Sequence, residues 1–131
     1  MHTFDYEEYL ALFNTGDDKA LCETFFTEDA VMQTADRTIP DRAALLDFLT
    51  KAHDGVREIL HPQVVLQDAH YLLAEIDIEF HATADRPGFV FGPLRKGESL
   101  LVKFFVVYTL RGNRICYLKT ARWPVGYGIE S

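Results

Sequence analysis

The sequence predicts an α+β fold: a strongly curved antiparallel sheet with N-terminal helices packed on its concave face, a cone closed at its mouth by those helices. Three observations carry that expectation. Apolar residues recur at helical spacing only before Gly55. From Val56 onward the pattern changes to the two-residue alternation of strands. One of those strands, Glu98 to Leu110, is apolar on both faces, so both faces call for cover. With 131 residues and no internal repeat, low-complexity tract or linker, residues 1–131 read as one domain long enough to bury a sizeable core.

The helices come first. Phe4, Tyr6, Tyr9, Leu10 and Phe13 recur at spacings that put them on one helix face. Asn14-Thr15-Gly16-Asp17 stops that helix, and Asp17 or Asp18 can cap the next. The second helix carries Leu21, Cys22, Phe25 and Phe26 and is expected to end near Glu28-Asp29. Ala30 to Thr34 reads as a short strand. Thr38-Ile39-Pro40-Asp41 leads into a third helix, from about Asp41 to Ala52, with Ala44, Leu45, Phe48 and Leu49 on its buried face and Gly55 beyond its end.

The strands follow. Ile59 to Gln67 alternates imperfectly, and Pro62, which has no N–H to donate to a ladder, marks an edge or a bulge. In the next strand Leu72, Ala74, Ile76, Ile78 and Phe80 alternate with Leu73, Glu75, Asp77, Glu79 and His81, so one face is apolar and the other largely charged. Asp85-Arg86-Pro87-Gly88 turns the chain into a longer loop that runs to Gly97. In the strand after it Leu100, Val102, Phe104, Val106 and Tyr108 point one way, and Leu101, Phe105 and Val107 the other. Arg111-Gly112-Asn113 makes the hairpin turn into a last strand, Ile115 to Trp123.

Charge and composition narrow the function. Acidic residues outnumber basic ones, 20 to 13, for a formal charge of −7. Arg111, Arg114, Lys119 and Arg122 are scattered over two strands and a turn, so no basic patch offsets the repulsion a nucleic acid would meet. Asp5, Glu7 and Glu8 near the start fit no signal peptide, and the run Leu100 to Leu110 contains Lys103 and is too short for a bilayer. Cys22 and Cys116 lie far apart and read as two free thiols of a reducing compartment, so a cytoplasmic protein without membrane contact is expected. Helices on one sheet face would leave Leu101, Phe105, Val107, Tyr117 and Trp123 in water. Such a patch predicts a homodimer through the outer sheet face, unless loops or the C-terminal tail cover it.

The order helix, helix, short strand, helix and long antiparallel strands resembles the nuclear transport factor 2-like (NTF2-like) superfamily, and within it the SnoaL-like and ketosteroid-isomerase-like branch. The stretches that carry the resemblance are Tyr9-Leu10-Ala11-Leu12-Phe13-Asn14-Thr15-Gly16-Asp17, then Phe25-Phe26-Thr27-Glu28-Asp29-Ala30-Val31, and the closing Tyr108-Thr109-Leu110-Arg111-Gly112-Asn113-Arg114-Ile115. Together they span nearly the whole chain, although each records helix ends and turns more than chemistry. The resemblance implies a cone-shaped, cystatin-like roll with a deep pocket. Its members include isomerases, dehydratases, epoxide hydrolases, polyketide cyclases and non-catalytic binding or assembly domains, so fold leaves function open.

Ketosteroid isomerases need an Asp base and an oxyanion hole made of a Tyr and a protonated Asp. By the resemblance Tyr9 matches the Tyr, but the base position falls on Thr34 and the second Asp position on Val106. Two of three groups are missing, so that mechanism is excluded, and Asp36 is the only nearby substitute base; otherwise it is a solvated loop acid. Tyr9 is either core packing with a satisfied hydroxyl or a donor at a pocket wall. His61, in Ile59-Leu60-His61-Pro62, lies where scytalone-dehydratase-like relatives use a His in acid–base catalysis, a role suited to imidazole; the alternative is a polar residue on an edge strand. His81 roughly matches a second such His, but its parity puts it on the outer face, where Lys103 and Lys119 can pair with Glu75, Asp77 and Glu79.

On the inner face Tyr108, Thr120 and Arg122 share the parity of Phe104, Val106, Cys116 and Leu118. The planar fork of Arg122 suits a ligand's carboxylate or enolate oxygen, or else pairs with Glu98 or Asp36 at the rim. The expectation is therefore a pocket for a small, largely apolar organic molecule. Thr34, Phe104, Val106, Tyr108, Leu118, Thr120 and Arg122 line it, and His61, Tyr9 and Asp36 are the catalytic candidates for isomerisation, dehydration or cyclisation. The alternative is a non-catalytic ligand carrier or dimerising module. No metal-ligand set or phosphate loop is present in the sequence, so neither metal nor cofactor is expected.

Overall fold

In the computed structural model, which describes residues 3–123, α1 (Tyr6–Phe13) and α2 (Asp18–Phe25) precede β1 (Phe26–Gln33) and β2 (Thr38–Ile39). Then come α3 (Arg42–Ala52), β3 (Val56–Gln67), β4 (Tyr71–Ala82), β5 (Ser99–Arg111) and β6 (Arg114–Arg122). Each helix starts on an aspartate. Asp5 accepts from the Glu8 N–H, Asp17 from Ala20 and Asp41 from Ala44, at 3.2, 3.1 and 2.8 Å. A cap of this kind is worth about 1 kcal/mol, which matters for helices of only two or three turns. Gly16 and Gly55 follow α1 and α3 with φ of 83° and 75°, and Gly55 has the Ala84 Cβ only 3.3 Å from where its own would stand. A side chain there would meet both backbone strain and a neighbour.

The six strands form one sheet in the order β2-β1-β6-β5-β4-β3. Four pairings are antiparallel, and β1 joins β6 in parallel. The second helix stops at Phe25, three or four residues earlier than its apolar pattern suggests. Phe26 pairs with Ile115, and this contact draws Phe26–Asp29 into the sheet against their helical spacing. Pro62 lies on the edge strand β3, and the register slips between Pro62 and Val64, so it marks both an edge and a bulge.

Alternation sets the faces. Leu72, Ala74, Ile76, Ile78, Phe80 and Ala82 of β4 are all buried, and Val102, Val106, Tyr108 and Leu110 of β5 join them. Phe4, Tyr6, Tyr9, Phe13, Leu21, Phe25, Leu45 and Leu49 close over this row in one apolar cluster. One parity expectation fails: a bulge after Thr109 sets Ile115 opposite Leu110 and fully buries it, while Cys116 is only half-buried, its thiol on the Thr109 carbonyl. The chain between β4 and β5 also reaches the core, because Phe89 and Leu94 are buried and the Phe89 ring lies 5.3 Å from Phe80. No helix among the described residues is long and apolar enough to cross a membrane.

Candidate functional site

The deep part of the concave face is occupied by the protein's own rings. Tyr108, Val106 and Leu118 share it, and Tyr108 is 2% exposed. The Tyr6 and Tyr108 hydroxyls meet at 2.9 Å, the Tyr9 ring stands edge-on to Tyr108 at 5.8 Å, and Tyr6 stacks on Tyr9 at 5.7 Å. Burial is the main reason that Tyr9 and Tyr108 are pushed well above the ordinary phenol range, and it raises Tyr6 to about 12 against the pull of its bond to Tyr108. These phenols are neutral at any physiological pH, and a ligand reaches them only by displacing packed rings.

The polar end of the inner row is more open. Thr120 stands opposite Val106 and Arg122 opposite Phe104, on the face that parity predicts. The Arg122 guanidinium lies over the Phe91 ring at 4.8 Å, and Phe91 packs edge-on to Phe104 at 5.8 Å. Among the described residues no carboxylate pairs with Arg122. Glu98 instead accepts from the Arg95 N–H at 2.7 Å, and Asp36 accepts from the Thr34 hydroxyl at 3.1 Å. Thr34 follows the last paired residue of β1, beside β6, so Thr34, Thr120 and Arg122 occupy neighbouring strands at one end of the sheet. Arg37, in the same turn as Asp36, lies over the Phe48 ring of α3 at 5.5 Å.

His61 is elsewhere. It stands opposite Asp77 on the outer face and bonds Glu79 at 3.1 Å; Glu79 also accepts from Ser99, which meets His81 at 2.8 Å. The His61 bond is the main cause that holds the Glu79 carboxyl below its usual range. Lys103 takes both Glu75 and Asp77, at 2.6 and 2.9 Å, and bonding to Glu75 first and Asp77 second raises its pKa. The outer carboxylates are thus engaged in cross-strand pairs, as anticipated for Lys103, whereas Lys119 lies over the Tyr117 ring instead. The sheet itself separates His61 from Tyr9 and Arg122.

Sequence reasoning missed His53. Its Nδ1 lies 2.9 Å from Asp18 and its Nε2 2.8 Å from Glu58, with all three side chains at least five-sixths buried. Burial alone would lower its pKa, but Glu58 and then Asp18 outweigh that and lift it to about 9. It borders a cleft of about 180 Å³ lined by Asn14–Gly16 and Val56–Glu58. With both ring nitrogens held, this imidazolium is a tie and not a base for neutral-pH chemistry. Nor is Cys22 a nucleophile, since burial pushes its thiol up to about 11. No three His, Cys, Asp or Glu side chains among the described residues gather as a metal site.

A second concavity lies on the outer face: an open groove of about 470 Å³ whose walls include Val64, Leu66, Leu73, Phe105 and Val107. Beside it Leu101 is 62% exposed.

Comparison with known proteins agrees with this architecture. A family model described as a SnoaL-like domain matches residues 6–118. A SnoaL-like polyketide cyclase from Agrobacterium tumefaciens superposes with a TM-score of 0.73 at 18% identity, over 95% of this chain and 94% of that one. A candidate polyketide cyclase from Xanthomonas campestris gives 0.73 at 23% identity, over 88% and 84%. An NTF2-like protein of unknown function from Burkholderia pseudomallei gives 0.70 at 13%, over 92% and 88%. At these identities the likeness speaks to fold. No curated protein matches the chain.

Proposed function

The chain belongs to the SnoaL-like family of the NTF2-like superfamily, and from that premise we propose that it binds a small, largely apolar organic molecule with an anionic or enolic oxygen at the Arg122 end of its concave face. One observation carries this reading: a guanidinium at the end of an apolar inner row, stacked on one phenylalanine, opposite another, and without a carboxylate partner among the described residues. Arg122 receives the oxygen, Phe104 takes the flat apolar body, and the Thr34 and Thr120 hydroxyls orient its polar edge. The catalytic version is cofactor-independent and suits a cyclase. Asp36 removes a proton beside a carbonyl and Arg122 holds the enolate oxygen that develops. Tyr9, Val106, Tyr108 and Leu118 support this site from behind, as its packed floor. The unpaired thiols fit a cytoplasmic place of action.

Calorimetric titration with naphthoate, a planar apolar anion, tests the site. Wild type binds, and Arg122→Ala, an exposed position, loses at least about tenfold in affinity with its melting temperature unchanged, the scale of one charge-assisted contact. Equal affinity in the two proteins overturns the assignment of Arg122.

The outer groove favours a second role that is compatible with the first. A contiguous apolar surface on a sheet face is the mark of an interface, and two copies packed face to face through Leu66, Leu73, Leu101 and Phe105 would cover it.

A further inference from the structure

We propose that Phe91 is a built-in competitor for this site, a ring of the protein that holds the ligand's place and must swing out before a planar molecule can enter. The inference rests on the reading of Arg122 and Phe104 as the ligand-binding pair. Phe91 makes the two contacts expected of such a ligand: the guanidinium of Arg122 over its face at 4.8 Å and the Phe104 ring against it at 5.8 Å. Its place in the chain suits a removable plug. Arg86 and Leu94 exchange two backbone hydrogen bonds, at 2.7 and 2.9 Å, and close the loop between them at its base. Phe89 is 8% exposed and anchored on Phe80, with Arg86 over its ring at 5.5 Å.

Beyond that anchor the tip is lightly held. Val90 is 74% exposed, Phe91 is half-buried, and the one backbone bond at the tip among the described residues runs from the Gly92 N–H to the Phe89 carbonyl at 3.0 Å. Gly92 has a φ of 139°, a conformation that side-chain-bearing residues rarely adopt, so the joint next to Phe91 belongs to the residue with the widest backbone freedom. The base of the loop is fixed and the tip can move. Phe91 also touches Phe80 at 5.1 Å and Phe89 at 5.7 Å, so it leaves a defined resting place that an incoming ring repays at Arg122 and Phe104.

A self-occupied site binds more weakly in proportion to the fraction of time it is vacant. Titration of wild type, Phe91→Ala and Phe91→Leu with naphthoate decides the matter. Phe91→Ala should bind about tenfold more tightly than wild type, the scale of one aromatic pair plus one exposed cation–π contact. Phe91→Leu keeps apolar cover for Phe80 and lacks the flat face, so it should fall between. Hydrogen exchange of the wild type gives a second readout: naphthoate should speed exchange at Val90 to Gly92, as the tip leaves. Weaker binding by both variants with Arg122 still required, or slower exchange at the tip, overturns the plug and leaves the site intact, with Phe91 as its wall. No binding by any of the three proteins removes the site and the plug together.

Discussion

The His53 Nε2 atom lies 2.8 Å from Glu58 while its Nδ1 lies 2.9 Å from Asp18, so a single imidazole joins the start of α2, the end of α3 and the beginning of β3. The ring sits just past the last turn of α3, where a positive charge also complements the helix dipole.

This tie makes stability depend on pH in the alkaline range. A histidine raised from an ordinary 6.5 to about 9 contributes stability that is complete below the unfolded value and disappears as pH rises through the folded one. After allowance for solvent screening the loss should be on the order of 2 kcal/mol. Urea unfolding midpoints should therefore fall between about pH 6.5 and about pH 9, and His53→Ala should be less stable near neutrality and lack that slope. A wild-type midpoint that stays level across this window would refute the tie.

The tyrosine cluster predicts a structural penalty. Tyr108→Phe removes the partner of the buried Tyr6 hydroxyl and should cost about 1 to 2 kcal/mol of unfolding free energy, because that hydroxyl loses its bond with water excluded. Tyr6→Phe with Tyr108→Phe should cost less than the sum of the single changes, since no orphan remains. Additive costs in chemical denaturation would show that the two hydroxyls act separately.

The outer groove predicts the oligomeric state. Size-exclusion with light scattering should give twice the 15.0 kDa mass of the chain at micromolar concentration. Leu66→Lys with Leu73→Lys, both solvent-exposed in the single chain at 67% and 47%, should give a folded monomer. A wild-type monomer at that concentration would leave the apolar groove without its proposed partner.

Much of this architecture was legible because the relevant signals are local. Three aspartates at helix starts, alternation from Leu72 to Phe80, and the parity that places Thr120 and Arg122 beside Val106 and Phe104 all reflect backbone geometry repeated every few residues. Where a distant partner intervened, the local signal failed. Phe26 continues a helical pattern but pairs with Ile115, far along the chain. A bulge after Thr109 turned Cys116 off the face that strict alternation assigns it.

The candidate site divides in the same way. The order of helices and strands, the two faces of the sheet and an arginine at the end of an inward row are properties of the sequence, because side-chain direction follows from backbone period alone. Only the folded chain decided that Tyr6 fills the space beside Tyr108, that His61 meets Glu79 behind the sheet, that His53 joins Asp18 and Glu58, and that Phe91 lies beneath Arg122. Those contacts arise where the chain path brings separate segments together, and no spacing along the sequence encodes them.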